Sequence, residues 1–247
     1  MVGDAFAMRA RSFGGAADAY ATGRPTYPGE AVAWLVAGVR RVVDVGAGTG
    51  KLTTGLLAAG CEVVAAVDPD PGMLATLERE VPGVPVLVGT AESVPLPDGS
   101  VDAAVLGQAW HWVDPEAASA ELGRVVRPGG VLGLLWNIRD EGVPWVAELG
   151  AIMHGSAAEQ MIDGGAVHVA APFGPLAEHR VTWSVPRTPD EIVALAASRS
   201  YLIALPEDDR AAVLERIRDL LAAHPATTGR DRIDLPYVTY AFRAVRD

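Results

Sequence analysis

Val42-Val43-Asp44-Val45-Gly46-Ala47-Gly48-Thr49-Gly50-Lys51-Leu52-Thr53 decides how the rest of the chain is read. The β-branched apolar run Val42 to Val45 has the length and composition of a buried strand. It ends in glycines and passes into Leu52-Thr53-Thr54-Gly55-Leu56-Leu57, which reads as a helix. Strand, glycine turn and helix in this order build nucleotide sites in open α/β sheets. One glycine permits backbone dihedrals closed to residues with a Cβ, and another lets the backbone come close to a ligand. The helix that follows points unpaired N–H groups at whatever sits there.

Three readings of the turn compete. A phosphate-gripping loop needs G-x-x-x-x-G-K-[ST], but Leu52 follows Gly50-Lys51 and Val45 stands where the first glycine belongs. A dinucleotide fingerprint needs G-x-G-x-x-G, and here the third glycine comes one residue early. What remains is G-x-G-x-G with Asp44 two residues ahead of it.

Composition bounds the rest. A chain of 247 residues, half of them hydrophobic, has room for a real core as one α/β domain with additions. The formal net charge of −11 argues against nucleic acid or an anionic membrane as partner. Cys61 is the only cysteine, which excludes an intramolecular disulfide and a cysteine-rich metal site. His154, His168, His179 and His224 fall in no ligand-spaced cluster, so no metal is expected. With no apolar signal-like start and no membrane-length apolar run, a cytoplasmic location is expected.

Before the glycine turn, Ala16 to Tyr27 is broken by Gly23 and Pro25 and reads as a short helix leading into a loop. It is either an N-terminal arm packed on the surface or a lid with Tyr20, Arg24 and Tyr27 facing a ligand. Pro28 to Val39 carries apolar residues at helical spacing. Glu62 to Val67 is a second strand ending at Asp68, an acid placed to accept hydrogen bonds from both hydroxyls of an adenosine ribose. Taken alone, Asp68 could equally cap the helix that starts at Pro69-Asp70-Pro71, on whose first turn Met73 lies. Val84 to Val88 reads as a third strand, followed by Thr90-Ala91-Glu92. Val101 to Leu106 is a fourth, ending in the polar and aromatic cluster Gln108-Ala109-Trp110-His111-Trp112. Arg127-Pro128-Gly129-Gly130 reads as the turn that closes a helix, and Val131 to Trp136 as a fifth strand leading to Asn137 and Arg139.

Asp44 to Gly50, Asp68, Ala91-Glu92, the Pro-Asp-Gly-Ser-Val-Asp turn at 97–102 and the Arg-Pro-Gly-Gly turn occur in an order and spacing that resemble class I S-adenosylmethionine-dependent methyltransferases. Arg24-Pro25-Thr26-Tyr27-Pro28 and the Gln108/His111-Trp112 cluster look more narrowly like the group of small-molecule methyltransferases that includes trans-aconitate methyltransferase. The resemblance covers roughly residues 16 to 136. It implies a Rossmann-like, doubly wound α/β fold: a seven-stranded, mostly parallel sheet with an antiparallel edge strand and a small helical cap, in one domain over 1–247. Residues 16–136 would be the cofactor core, 1–40 a lid and 137–230 the cap elements.

The resemblance also implies site roles. Asp44, Gly46, Ala47, Gly48 and Gly50 would hold the methionine end of S-adenosylmethionine, and Asp68 with Pro69 the ribose. Met73, Thr90, Ala91 and Glu92 would border the adenine, and Tyr20, Arg24 and Gln108 would complete the cofactor site. Tyr27, Trp110, His111, Trp112, Asn137 and Arg139 would face a small-molecule acceptor, and S-adenosylhomocysteine would be the product. His111 is the best-placed candidate base; the alternative is a ring that hydrogen-bonds to backbone and steadies Trp110 and Trp112. Arg139 either orients a carboxylate or pairs with its neighbour Asp140 at the surface.

Past Trp136 the pattern thins. Val143 to Ser156 reads as a helix, 164–174 as a loop, and Glu178 to Val185 as a strand. Thr188-Pro189-Asp190-Glu191 is a capping box opening a helix through Ala197. Asp208 to Ala222 is an amphipathic helix and Tyr237 to Val245 a last strand. Two other functions stay open at this point: an NAD(P)-dependent oxidoreductase, against which the short glycine spacing stands, and a non-catalytic binder of S-adenosylmethionine or S-adenosylhomocysteine. Oligomeric state is also open.

Overall fold

Strand β1 (Arg41–Val45) forms from the valine-rich run before the glycines, and all of it beyond Arg41 is buried. A run of valines interrupted only by Asp44 suits a strand covered on both faces. The computed structural model describes residues 25–153, 155–203 and 205–247, and for Ser200 and Tyr201 the backbone alone. Tyr20 and Arg24 of the expected lid lie outside these residues.

Around β1 the chain builds α1 (Gly29–Leu35), α2 (Lys51–Ala58), β2 (Glu62–Asp68), α3 (Pro71–Glu80), β3 (Val86–Val88), β4 (Val101–Gly107), α4 (Pro115–Val125) and β5 (Val126–Arg139). β7 (Ile233–Val245) and β6 (Ala177–Arg187) complete a sheet of order β3-β2-β1-β4-β5-β7-β6. Strands β1 to β5 are parallel. β1 lies between β2 and β4, so the order reverses there, and the carboxyl ends of β1 and β4 flank the crevice where open α/β sheets take ligands. The glycine turn leaves β1 at that point.

The seven-stranded, mostly parallel Rossmann-like sheet agrees with the sequence reading, with one correction. The reversed strand is β7, one place in from the edge, because β7 pairs antiparallel with both β5 and β6. The cause is connectivity. The helices α7 (Pro189–Ala197), α8 (Ser200–Ile203) and α9 (Glu207–Ala223) leave the end of β6 and return the chain at the same end of the sheet, so β7 must run back along it.

Two local expectations also change. Arg127 to Gly130 do not end α4 in a separate turn but bulge within β5, where the pairing with β4 jumps from Val101↔Val126 to Ala103↔Val131. Arg127 there donates to Asp102 at 2.7 Å, and the N–H groups of Arg40 and Arg41 donate to the same carboxylate. That arrangement ties β1, β4 and β5 together at their amino ends and holds the Asp102 carboxyl at about 2. The helix expected over Val143 to Ser156 is two helices, α5 (Pro144–Met153) and α6 (Ala157–Asp163). Ser156 and Glu159 form a reciprocal capping box that starts the second. The capping box read at Thr188 is present and opens α7.

One face of the sheet buries Val43, Val45, Leu132, Leu134 and Trp136 against α4 and α6. The other buries Val42, Ala66, Val105 and Leu135 against α1, α2 and α3. A third cluster joins Trp145, Leu149, Ile192, Leu202, Ile217 and Leu235, and so binds α5 and α7–α9 to the start of β7 as a cap. The segment 137–230 is therefore divided: β6 belongs to the sheet and α6 packs on it, while the other helices form the cap. Among the described residues no helix is long and apolar enough to cross a membrane.

Candidate active site

The backbone N–H groups of Gly46 and Ala47 both donate to the Val67 carbonyl, at 2.8 and 3.0 Å, and close the turn against β2. Gly46 and Gly48 have φ of +68° and +54°, a region L side chains rarely occupy. A Cβ on Gly46 would stand 2.6 Å from the Ala109 Cβ, whereas one on Gly48 would meet nothing within 4 Å. Gly46 therefore lets the segment after β4 come close, and Gly48 faces open space. Gly50, expected at the cofactor, has a use in the fold: a Cβ there would stand 2.9 Å from Leu77 Cγ of α3. Its missing side chain is what lets α3 pack on the turn.

A cavity of about 100 Å³ opens beside Gly48. Its walls are the turn from Gly46 to Thr49, Lys51 and Leu52 at the start of α2, and Gly107 and Gln108 after β4. Asn137 of β5, Tyr237 of β7, Pro25 and Tyr27 ahead of α1, and Leu195, Ser198 and Arg199 at the end of α7 complete it. Gln108 holds a φ of +56° and donates from Nε2 to the Asn137 carbonyl at 2.8 Å. The Asn137 amide, expected to meet an acceptor, is engaged by the protein: it donates to the Thr26 carbonyl at 3.1 Å and accepts from the Thr239 hydroxyl at 2.7 Å. Asn137 thus lines the cavity as a wall that anchors the segment before α1. The Thr49 hydroxyl, also in the wall, is buried with no partner among the described residues.

The acids sit beneath and beside the turn. Asp68 accepts from the N–H of Gly48 at 2.9 Å and from the N–H of Asp70 at 2.9 Å. Burial pushes its carboxyl up, and these two bonds oppose that. The helix-capping role that Asp68 might have had belongs to Asp70, which accepts from Gly72 and Met73. Asp44 is fully buried, accepts from the Thr53 hydroxyl at 2.6 Å, and does not line the cavity. Burial pushes its carboxyl up to about 7, opposed by the Thr53 bond and reinforced by Asp68. Because that value lies above the ordinary one near 4, the stability Asp44 contributes is full at acid pH and lost as pH rises through 7.

The other adenine-side candidates scatter. Met73 and Ala91 are buried, with Ala91 in the core against α4. Thr90 is exposed and bridges to Ser93, and Pro69 is half-buried. Glu92 accepts from the N–H of Asp114, the residue that caps α4.

The aromatic cluster departs most from expectation. Trp110 is not a pocket wall but a core residue, 2 % exposed, with its indole N–H on the His168 carbonyl at 2.9 Å. His111 accepts at Nδ1 from the Trp136 indole at 3.3 Å and lies 4.8 Å from the Trp112 ring. Neither His111 nor Trp112 lines the cavity. Arg139 is buried and pairs with Glu159 of α6 at 2.9 Å, not with Asp140 and not at the surface. Sequence reasoning missed Thr49, Lys51, Ser198, Arg199 and Tyr237. Lys51 carried a signal, being the only lysine and directly following the glycines.

A family model described as a methyltransferase domain matches residues 43–134. An uncharacterised methyltransferase of Mycobacterium tuberculosis is 51% identical over 94% of this chain and 95% of its own. The chain belongs to the class I S-adenosylmethionine-dependent methyltransferases. The methyltransferase family also extends to a methyltransferase-like protein of Schizosaccharomyces pombe, 32% identical over 92% of this chain and 93% of its own. A solved structure described as a type II methyltransferase, from Anaeromyxobacter dehalogenans, is 28% identical, with a TM-score of 0.66 over 90% of this chain and 97% of that one. With membership of this methyltransferase family, the oxidoreductase reading of the glycine turn falls away.

Proposed function

We propose that the protein transfers a methyl group from S-adenosylmethionine to a small-molecule acceptor held in the cavity between the glycine turn and the cap. The observation that carries this reading is a single cavity whose walls include both the turn, Gly46 to Thr49, and the cap residues Leu195, Ser198 and Arg199. Donor and acceptor would then share one cavity, which is what alignment of a displacement requires.

The residues fit the donor. Gly48 leaves open space where a side chain would stand, and the Thr49 hydroxyl is buried without a partner among the described residues. Asp68, though held by two N–H groups, keeps acceptor capacity for ribose hydroxyls. S-adenosylmethionine supplies, when bound, a methyl group on a sulfonium, an electrophile with a good leaving group. The chain's own work is then to align the acceptor and exclude water. In this reading Gly46 to Gly48 and Asp68 hold the donor, and Thr90 to Glu92 border its base. Gln108, held on the Asn137 carbonyl, completes the donor side, and Tyr27 and Asn137 shape the acceptor side.

His111 is assigned a positioning role. With Nδ1 accepting from Trp136, the neutral ring carries its proton on Nε2. Its one basic nitrogen is therefore engaged, and serving as a base would break the bond that fixes the Trp136 ring.

The test is transfer itself. S-adenosylmethionine labelled with CD3 is incubated with the protein and bacterial small-molecule extracts, and products are read by mass spectrometry. The expected result is at least one small molecule carrying CD3 in place of hydrogen, formed together with S-adenosylhomocysteine. If S-adenosylhomocysteine binds and no extract is ever labelled, the non-catalytic binder is the better description.

A further inference from the structure

Lys51 stands at the end of a helix where a cation is out of place. It is the only lysine of the chain and the first residue of α2. The unpaired N–H groups of a first helical turn carry partial positive charge, which favours an acid there and disfavours a lysine. Nothing in α2 offsets this: its first turn holds no acid, and Gly50 ahead of it has no side chain to cap it. Among the described residues the Lys51 side chain makes no ion pair and no hydrogen bond. It is half-buried and lines the cavity, whose described walls contain no Asp or Glu. Thr49, in the same wall, is 6% exposed, and its hydroxyl has no partner among the described residues. Buried polar groups are almost always hydrogen-bonded. The start of α2 thus offers the cavity a charge, a hydroxyl and helix N–H groups that all suit an anion.

We propose, resting on the methyltransferase reading above, that Lys51 is the counter-ion of the donor's α-carboxylate and so a specificity residue for the donor. S-adenosylmethionine carries one anionic group, that carboxylate, with an ammonium on the same carbon and a sulfonium farther along. A cation at Lys51 attracts the first and repels the other two. It therefore fixes how the methionine end lies against the glycine turn: the carboxylate toward Lys51 and Thr49, the ammonium away from the start of α2. An ammonium and helix N–H groups acting on one carboxylate hold it more strongly than either does alone. Arg199, the other cation in the described walls, already meets the Glu159 carboxylate from the cap side. Donor analogues that lack the carboxylate would be selected against by Lys51 alone.

The probes are S-adenosylhomocysteine and its decarboxylated form, which keeps the ammonium and lacks only the carboxylate. Each is titrated by calorimetry into the full chain and into Lys51→Gln and Lys51→Arg. The parent is expected to bind S-adenosylhomocysteine at least tenfold more tightly than the decarboxylated form. Lys51→Gln, matched in helix propensity, should bring the two ligands to within threefold of each other by weakening S-adenosylhomocysteine alone. Its affinity for the decarboxylated form should stay within twofold of the parent's, which also shows that it folds. Lys51→Arg keeps the charge and should restore most of the preference. A parent indifferent to the carboxylate, a Lys51→Gln variant that binds S-adenosylhomocysteine as the parent does, or one that weakens both ligands equally would each overturn the proposal. If the parent binds neither ligand, the methyltransferase reading of the cavity fails first and this proposal falls with it.

Discussion

Glu159→Ala is expected to destabilise the fold by about 3–5 kcal/mol, lowering the unfolding midpoint by on the order of 10 °C. Glu159 is 5% exposed and pairs with both Arg139 and Arg199. It also accepts from the Ser156 N–H and so caps α6. Its removal leaves the buried Arg139 guanidinium without its ion-pair partner and removes the cap. The same group gives a pH signature. Burial works to raise the Glu159 carboxyl, but Arg139, Arg199 and the Ser156 N–H overcome it and hold it at about 2. A folded value below the ordinary one near 4.5 means stability that is present above 4.5 and lost as pH falls toward 2. Urea unfolding at pH 7 and pH 3 should show a wide gap between parent and variant at pH 7 and a narrower one at pH 3. A gap below 1 kcal/mol at pH 7 would mean that the cluster does not hold the cap to the sheet.

Gly48→Val is expected to lose S-adenosylhomocysteine binding by tenfold or more, roughly 1.4 kcal/mol or beyond, while the protein stays folded. The added side chain would enter the open space beside the turn and touch no protein atom at its Cβ. Its cost to the fold is therefore the left-handed backbone, about 1–2 kcal/mol. Gly46→Ala makes the contrast, because its Cβ would stand 2.6 Å from Ala109 and force the segment after β4 away. That variant should lose stability and binding together. Circular dichroism with calorimetric titration separates the two outcomes. Retained affinity in Gly48→Val would place the ligand somewhere other than against the turn.

How much of this was legible in the sequence depends on the distance over which each feature is fixed. The β1 turn is local, since glycines at set intervals after a buried strand specify a turn before any tertiary contact forms, and the capping box at Thr188 is local in the same way. Which glycine faces a ligand is not local. Gly50 looks like its neighbours in sequence, and only the packing of Leu77 and Val81 from α3 against it shows its use. Arg139 was readable as a charge at a strand end, but its partner lies 20 residues on, across a helix boundary. Adjacent Asp140 is spent on the N–H of Gly142 in the following turn. Trp110 follows the same rule, for its indole finds a carbonyl 58 residues away. Period-two patterning located β6 and β7 but says nothing of strand direction, which the cap helices between them decide. The residues that close the cavity from the cap, Leu195, Ser198 and Arg199, follow no motif and were invisible for that reason.

The most direct test of the central claim, that the glycine turn and Asp68 hold the methyl donor, is calorimetric titration of the parent protein and of Asp68→Ala with S-adenosylhomocysteine. Loss of the carboxylate would remove the ribose hydrogen bonds proposed for it and the bond that steadies the Gly48 N–H, at about 1–3 kcal/mol for each charged bond. The account predicts one site per chain in the parent and at least tenfold weaker binding in Asp68→Ala. No binding by the parent, or an affinity that Asp68→Ala leaves unchanged, would contradict it.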